Sequence, residues 1–349
     1  MKQIELLDCT LRDGGYLNGW NFGKQNIKDI FNTLNLSEID YIECGFINNI
    51  QTYNINHSIF EKVEDVKRVI HANNNNVTLM MLISEYDISK LPECNKNTPV
   101  KNIRLSFHKN ELKDAIRNGK IIKNKGYNLF FQPTVTMSYD YEELLYIIKL
   151  CNDTIKPYAF AIVDTLGEML PDDIIRLTKL CDTNLDKNIR LLFHSHNNLQ
   201  LAFSNSINFI KNVNDSRKII IDSSLLGMGK DSGNTCTELM VWFLNKYFCK
   251  KYDYEAILML IQNTMLKLQA DFKWGYSATY LINAINKTHS KYTKFIKKHL
   301  PEINLLELNA LLSEIPQEKR NDFDLSLANS LIKNKGQFNA KYQYFWWTC

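Results

Sequence analysis

His194 and His196 stand two residues apart at the end of the apolar run IRLLFH, which begins at Ile189. In an extended strand a spacing of two turns both imidazoles to the same side. Two imidazoles and one carboxylate on a common face bind a divalent ion and leave positions open for substrate, a donor set suited to Mn, Fe, Co or Zn. A pair of core or surface histidines has the same spacing, so the reading depends on a third ligand. Asp13 in Arg12-Asp13-Gly14-Gly15 supplies one if its segment converges on the same place. Arg12 would then lie beside the metal, where a fixed guanidinium holds a carboxylate or stabilises an enolate as it forms. Taken alone, the motif also fits a structural Arg-Asp turn, its glycines letting the backbone bend sharply and approach a ligand.

Other polar residues follow apolar runs in the same way: Glu43, Gln132 and Thr134, Asp164 and Asp222. Residues Gly227–Asn234, GMGKDSGN, come after the last run and before a helical segment. They suggest an anion loop, although the glycine spacing is neither a P-loop nor a dinucleotide fingerprint. On propensity alone Asn234 is a helix cap rather than a ligand.

These residues need a scaffold that gathers them. Eight short apolar runs recur along the chain: IELLD from Ile4, YIECG from Tyr41, VTLMMLI from Val77, NIRLSF from Asn102, NLFFQPTV from Asn128, YAFAIVD from Tyr158, IRLLFH from Ile189 and KIIIDSSLLG from Lys218. Continuous runs of this kind suit parallel strands buried on both faces. Segments with helical spacing separate them, such as Ile27, Ile30, Phe31 and Leu34, or Leu144, Leu145, Ile148 and Leu150, and strand and helix are expected to alternate throughout. Eight units predict an α/β fold, a closed (β/α)8 TIM barrel over residues 1–240, with an open doubly wound sheet as the alternative. In such a barrel the site lies at the C-terminal ends of the strands, and strand two is expected to end at Glu43. From about residue 236 the strand pattern fades, and ELMVWFLNKYF, EAILMLIQNTMLKLQ, YLINAIN and LLELNALLSEI predict a helical extension over 241–349. The aromatic tail KYQYFWWTC is expected to pack on the barrel or on a second subunit.

Composition narrows the function classes. The 349 residues carry 42 Lys+Arg against 38 Asp+Glu, a net charge of +4, and are 45% hydrophobic. That excludes a disordered or collagen-like chain. The lysines are scattered, so no nucleic-acid partner is indicated, and no apolar run is long enough for a membrane span. The N-terminus lacks the apolar core of a signal peptide, which predicts a soluble, cytoplasmic protein. Eight cysteines without a CxxC pair read as free, mostly buried thiols in a reducing compartment.

Four motifs together, DCTLRDG near the N-terminus, IECGF at strand two, FHSHNNLQLAFSNSI at strand seven and IDSSLLGMGKDSGNTCTEL at strand eight, resemble the DRE-TIM metallolyases, the HMGL-like family. The resemblance spans roughly residues 1 to 245 and is nearest in pattern to the 4-hydroxy-2-oxovalerate aldolase branch. It implies that Asp13, His194 and His196 hold a divalent metal, Mn foremost with Co, Zn or Mg as alternatives, and that Asn234 serves as a fourth ligand or acts through water. It implies further that Arg12 stabilises the enolate of a pyruvyl or acyl unit and that Glu43 orders Arg12 or the metal's waters. Tyr276, in the Gly275-Tyr276 context of FKWGYS, resembles the acid/base tyrosine that the aldolases carry from their extension.

The sequence departs from the aldolases at one position. Where they have a histidine base two residues beyond the RDG glycine, this chain has Tyr16, a poor base at neutral pH unless the metal or Arg12 depresses its pKa. Tyr16, Tyr276, His108 and a water on the metal all remain candidates for the proton transfers. The resemblance thus implies a metal-dependent pyruvate aldolase or retro-aldolase acting on a 4-hydroxy-2-oxo acid, with a small 2-oxo acid and an aldehyde as ligands and a homo-oligomer or partner dehydrogenase as its company. A Claisen-type acyl-CoA lyase or synthase is the second reading, and a barrel that keeps the ligand site without turnover is the third. Against acyl-CoA, the barrel loops offer little basic charge beyond Lys230 and the lysine-rich helix after His108.

Overall fold

The computed structural model describes residues 2–70 and 77–333. Its eight main strands are the eight apolar runs: β1 (Ile4–Asp8), β2 (Tyr41–Ile47), β3 (Val77–Leu82), β4 (Asn102–Phe107), β5 (Asn128–Pro133), β6 (Ala159–Asp164), β7 (Arg190–Ser195) and β8 (Ile219–Ser223). All neighbouring pairs are parallel, and β1 pairs with both β8 and β2, so the sheet closes into a barrel rather than remaining open. Leu7 faces Tyr41 across one seam and Ile4 faces Ile219 across the other.

The alternation of strand and helix is interrupted twice. Among the described residues no α-helix follows β2 or β3; the 3-10 turns Val63–Arg68 and Ile88–Lys90 take those places, with a two-residue strand, Ile59–Phe60, added to β2. The cause is local. Asn48 and Asn54 accept hydrogen bonds from the backbone two residues on, and the second segment contains Asn95, which does the same, between Pro92 and Pro99. Such residues offer the backbone partners that compete with a helix, and proline removes a donor. The other units keep their helices, Lys24–Leu36, Leu112–Asn124, Tyr141–Leu150, Pro171–Asn184, Ala202–Asn212 and Thr237–Phe248.

Inside the barrel, the period of two sorts residues into layers. Leu7, Tyr41, Phe130, Leu192 and Ile220 belong to one apolar cluster. Two residues further along the same strands stand Glu43, Gln132, His194 and Asp222, so the next layer is polar and buried. Glu43 does not end its strand as expected. β2 continues to Ile47, with a register shift between Glu43 and Phe46 where Gly45 adopts φ 145° and a Cβ would lie 1.8 Å from the Ser58 carbonyl oxygen. The bulge bends β2 and lets a mid-strand carboxylate reach the upper layer.

Beyond the barrel the chain is helical, as the sequence predicts. Residues 254–272 form one helical stretch interrupted by a π-turn, and Ala278–Ile285, Ser290–His299, Leu305–Ser313 and Leu325–Lys333 follow. Tyr292, Ile296, Leu308, Leu311, Leu312, Ile315, Ala328 and Leu331 give this part a core of its own. Its links to the barrel mouth include the polar pairs Lys287 with Glu168 at 3.7 Å, Lys294 with Asp231 at 3.3 Å and His108 with Asp322 at 3.5 Å. The tail KYQYFWWTC lies outside the described residues. The seven described cysteines are unpaired; four are buried and Cys249 is exposed. No helix of the described residues is long and apolar enough to cross a membrane.

Candidate metal and active site

Asp13, His194 and His196 converge at the C-terminal end of the barrel, where one donor atom from each lies within 4.8 Å of the others. All three are buried. The hydrogen bonds on the histidines fix which nitrogens are free. His194 Nδ1 donates to Asp222 Oδ2 at 2.9 Å, and His196 Nδ1 donates to the Asp164 carbonyl oxygen at 2.9 Å. Each ring therefore leaves Nε2 as the nitrogen free for a ligand, and His196 Nε2, 3.5 Å from Asp13 Oδ2, is buried without a hydrogen-bond partner. A carboxylate or carbonyl behind each imidazole is the arrangement that orients metal-binding histidines. Burial lowers the His194 pKa against the pull of Asp222, which keeps the ring neutral. Burial alone would raise Asp13, but Arg12 and the histidines hold it well below the usual carboxylate range. The donor set, its ionisation and the orphaned Nε2 fit a divalent cation.

Asn234 is not a cap. The helix begins at Thr237, and Asn234 instead donates from Nδ2 to Asp13 Oδ2 at 2.7 Å while its Oδ1 is buried and unpartnered. Gly229 is required beside it, since a Cβ there would lie 2.4 Å from Asn234 Nδ2 and 2.6 Å from Asp13 Oδ2. The glycines after Arg12 also act by close packing rather than by a sharp turn. Gly14 has helical angles, φ −59° and ψ −26°, and the Trp20 ring covers Gly15.

Beneath the triad runs a chain of buried charges. Arg12 pairs with Asp13 through Nη1 and donates from Nε to Glu43 Oε2 at 2.7 Å, leaving Nη2 buried without a partner. The other Glu43 oxygen lies 3.0 Å from Nε of Arg104. Arg104 donates twice to Asp222, at 2.6 and 3.0 Å, and once to Gln132 Oε1 at 3.0 Å. Burial would raise Asp222, yet Arg104 and His194 bring it to about 2. Three carboxylates against two guanidiniums leave this chain with one negative charge, which a bound cation would offset.

The sequence did not single out Arg104. Its signal was a lone charge inside the apolar run NIRLSF, and only the register of β4 against β5, with Arg104 opposite Phe130, turns that charge into the barrel. Also missed were His289, Ser290, Lys291 and Lys294, which line the cavity above the triad from the helical extension. That cavity, of about 310 Å³, is also lined by Arg12, Tyr16, His108, Gln132, Thr134 and Lys230. A second cavity of about 630 Å³ adjoins it at His108 and Thr134 and extends to Lys109, Lys287 and Arg320.

Tyr16 therefore reaches the site, its ring edge-on to Trp20 and Phe46. Loss of solvation raises its pKa despite Arg12, so its hydroxyl keeps its proton. His108 stands where the two cavities meet, with Thr134 Oγ1 3.3 Å from Nδ1. Tyr276 is not brought to the site. It is 58% exposed and absent from the lining of either cavity. Trp274 Nε1 donates to the Leu226 carbonyl oxygen at 2.9 Å and pins this loop to the barrel rim, and Gly275 at φ 117° then turns the chain.

Comparison with known proteins agrees with this geometry. The family model described as HMGL-like matches residues 3–264. A 4-hydroxy-2-oxovalerate aldolase of Geobacillus genomosp. 3 is 26% identical over 247 residues, covering 70% of this chain and 71% of that protein. A 2-isopropylmalate synthase of a Geobacillus species is 25% identical over 257 residues, 69% of this chain and 47% of the synthase. Among solved structures, the N-terminal domain of an inferred aldolase from Bacteroides vulgatus superimposes with a TM-score of 0.71 at 24% identity, over 84% of this chain and 96% of that one.

Proposed function

From the premise that this chain belongs to the HMGL-like family of enzymes, we propose that it is a divalent-metal-dependent carbon–carbon lyase of the cytoplasm that works through the enolate of pyruvate on a 4-hydroxy-2-oxo acid. The observation that carries the reading is the buried Asp13, His194 and His196 triad with the unpartnered Nη2 of Arg12 beside it. Asp13, His194 and His196 hold the ion, with Asn234 Oδ1 as a further donor. The ion, Mn foremost, supplies Lewis-acid polarisation of the 2-oxo acid.

The chain's own residues do the rest. Arg12, fixed through Nε by Glu43, offers Nη2 to the oxygen on which negative charge grows. Arg104 holds Glu43 and Asp222 in place, and Asp222 holds the His194 ring. In the condensing direction a proton leaves the pyruvate methyl carbon, that carbon joins the aldehyde carbon, and the resulting alkoxide takes up a proton. Tyr16 keeps its own proton and fits the donor role, and His108, whose ring lines the same cavity, is assigned the acceptor role. Tyr276 stands outside this set. Exposed Leu239, Trp242 and Tyr247 on helix Thr237–Phe248 offer an apolar face for a second copy or a partner dehydrogenase.

A Claisen-type acyl-CoA reaction is the second reading, favoured by the synthase relatives and by the basic residues of the adjoining cavity, Lys109, Lys287 and Arg320. One experiment separates the two. With Mn or Co the protein is expected to exchange the methyl protons of pyruvate in D2O, to stop when the metal is chelated, and to bind oxalate in calorimetry. Tight binding of acetyl-CoA with no exchange and no oxalate heat would overturn the aldolase reading in favour of the second.

A further inference from the structure

The cavity above Asp13, His194 and His196 is roofed by the start of helix Ser290–His299, whose His289, Ser290, Lys291 and Lys294 line it together with Lys230 of the barrel. Lys294 pairs with Asp231 at 3.3 Å, and among the described residues neither Lys230 nor Lys291 is ion-paired. Besides Asp13, two acids line the same cavity, each held by a neutral donor. Glu85 accepts from Asn48 Nδ2 at 2.8 Å and Glu111 from the backbone N–H of His108 at 2.7 Å. Lys230, Lys291 and Lys294 stand together with Asp231, and three cations against one acid create a local potential that draws in anions.

His289 registers that potential: burial first, and then Lys230, Lys291, His108 and Lys294, push its pKa to about 2. The first turn of the helix adds the positive end of its dipole, with the Lys291 N–H capped by His289 Nδ1 at 3.1 Å. Ser290 supplies an independent observation. It is 1% exposed, it lines the cavity, and its Oγ has no hydrogen-bond partner. A buried hydroxyl without a partner in the protein is one whose partner is a ligand or ordered water.

We propose that Lys230, Lys291, Lys294 and the first turn of helix Ser290–His299, Ser290 Oγ included, form an anion subsite for the acceptor, so that the aldehyde carries a carboxylate or phosphate at the end remote from its carbonyl. The inference rests on the aldolase reading above and names its substrate class. Apart from Lys230, the subsite is built from chain beyond residue 264, where the family match ends. A short neutral aldehyde would leave Lys230 and Lys291 without an ion-pair partner, whereas a charged acceptor would be steered in and held with its carbonyl toward Arg12.

The test gives the full-length, metal-loaded protein pyruvate with succinic semialdehyde or glyceraldehyde 3-phosphate, and with propanal or butanal as neutral controls. The kcat/KM for the charged aldehydes is expected to exceed that for the neutral ones by about tenfold or more and to fall with added salt. Lys291→Ala with Lys294→Ala, both at exposed positions, should reduce that ratio about tenfold through KM. Equal use of charged and neutral aldehydes, or a ratio unmoved in the double variant, overturns the proposal. Calorimetry with inorganic phosphate reads the subsite without turnover. If the wild-type protein exchanges no pyruvate proton, the aldolase reading fails by itself; phosphate binding that the double variant loses still supports the subsite, and absent phosphate binding overturns it. Coenzyme A binding more tightly than phosphate, and losing that binding in the double variant, would assign the lysines to nucleotide phosphates and overturn the small-acceptor form.

Discussion

The floor and the roof of the cavity treat charge in opposite ways. On the floor, Arg12, Glu43, Arg104 and Asp222 are fully buried and joined at 2.6 to 3.0 Å, so each charge is held by another. On the roof, Lys230 and Lys291 have no acidic partner among the described residues and Lys291 is exposed. A paired buried charge is rigid and keeps its ionisation, which suits groups that must meet a reacting atom in one geometry. An unpaired charge near solvent costs little to hold and is free to meet a ligand. The floor is therefore built for chemistry and the roof for recognition, and each variant below strains that division.

The largest effect is expected from the ligands that crown the floor. His194→Ala or Asp13→Ala should lose most of the metal affinity and lower turnover by at least about a thousandfold, since a lost ligand removes both the ion and its polarisation. Metal analysis by mass spectrometry checks it, and wild-type occupancy in either variant would break the assignment. Arg104→Met tests the floor as a network. Removing one partner from a buried set leaves Asp222 without its guanidinium and Glu43 with Arg12 alone, a loss of about 3–5 kcal/mol in unfolding free energy. A denaturant midpoint equal to that of the wild type would mean that the pairs carry no stability. Arg12→Lys keeps the charge and loses the planar fork, so kcat should fall about 100-fold while metal content holds; unchanged turnover would exclude the oxyanion role.

These variants also mark what the sequence made legible. The eight strands and the histidine pair could be read because both depend on short-range periodicity: apolar runs of five to ten residues, and HxH at a strand end. Glu43 was recognised as a polar residue of its strand, but the bulge at Gly45 was not, because a register shift exists only relative to the neighbouring strand. The absence of helices after β2 and β3 was hidden for a related reason, since asparagine side chains competing for backbone donors leave no apolar pattern to count. Arg104 and the Lys291–Lys294 turn were missed because their meaning arises from contacts across the barrel and from a helical unit far away in the chain. Tyr276 was singled out from a two-residue context, and the anchor that turns it away, Trp274 on Leu226, is again a long-range bond.

Asp8 sharpens the comparison from within the barrel. It is as buried as Asp222, but its partners are neutral: Thr237 Oγ1 at 2.6 Å and the Thr10 backbone N–H at 2.9 Å. Burial raises its pKa from 3.8 to about 6, only partly offset by those donors. Between those two values the folded state binds more protons than the unfolded one, so stability contributed by this group falls as pH rises from about 4 to about 6. The rise corresponds to at most ~3 kcal/mol. The stability of the wild type relative to Asp8→Asn, followed by urea unfolding across that range, should therefore fall as pH rises; a relative stability that rises with pH would show a charge stabilised like that of Asp222.

The smallest effect is expected at Tyr276, and it probes the roof. Only a group that enters the cavity can move a proton there, because general acid or base catalysis needs hydrogen-bond reach of the reacting atom. Tyr276 is 58% exposed and lies in neither cavity, while its neighbour Trp274 is tied to the barrel rim. Removing its hydroxyl therefore takes nothing from the floor and nothing from the lysines above it. Tyr276→Phe should change kcat/KM for aldol addition by less than about twofold, whereas a positioned acid or base contributes about 10²–10⁴. Tyr16→Phe, measured beside it, supplies the contrast, since Tyr16 lines the cavity and keeps its proton. If Tyr276→Phe instead falls a hundredfold while Tyr16→Phe does not, the loop after Trp274 must swing inward during turnover, and the roof would share in the chemistry that the division assigns to the floor.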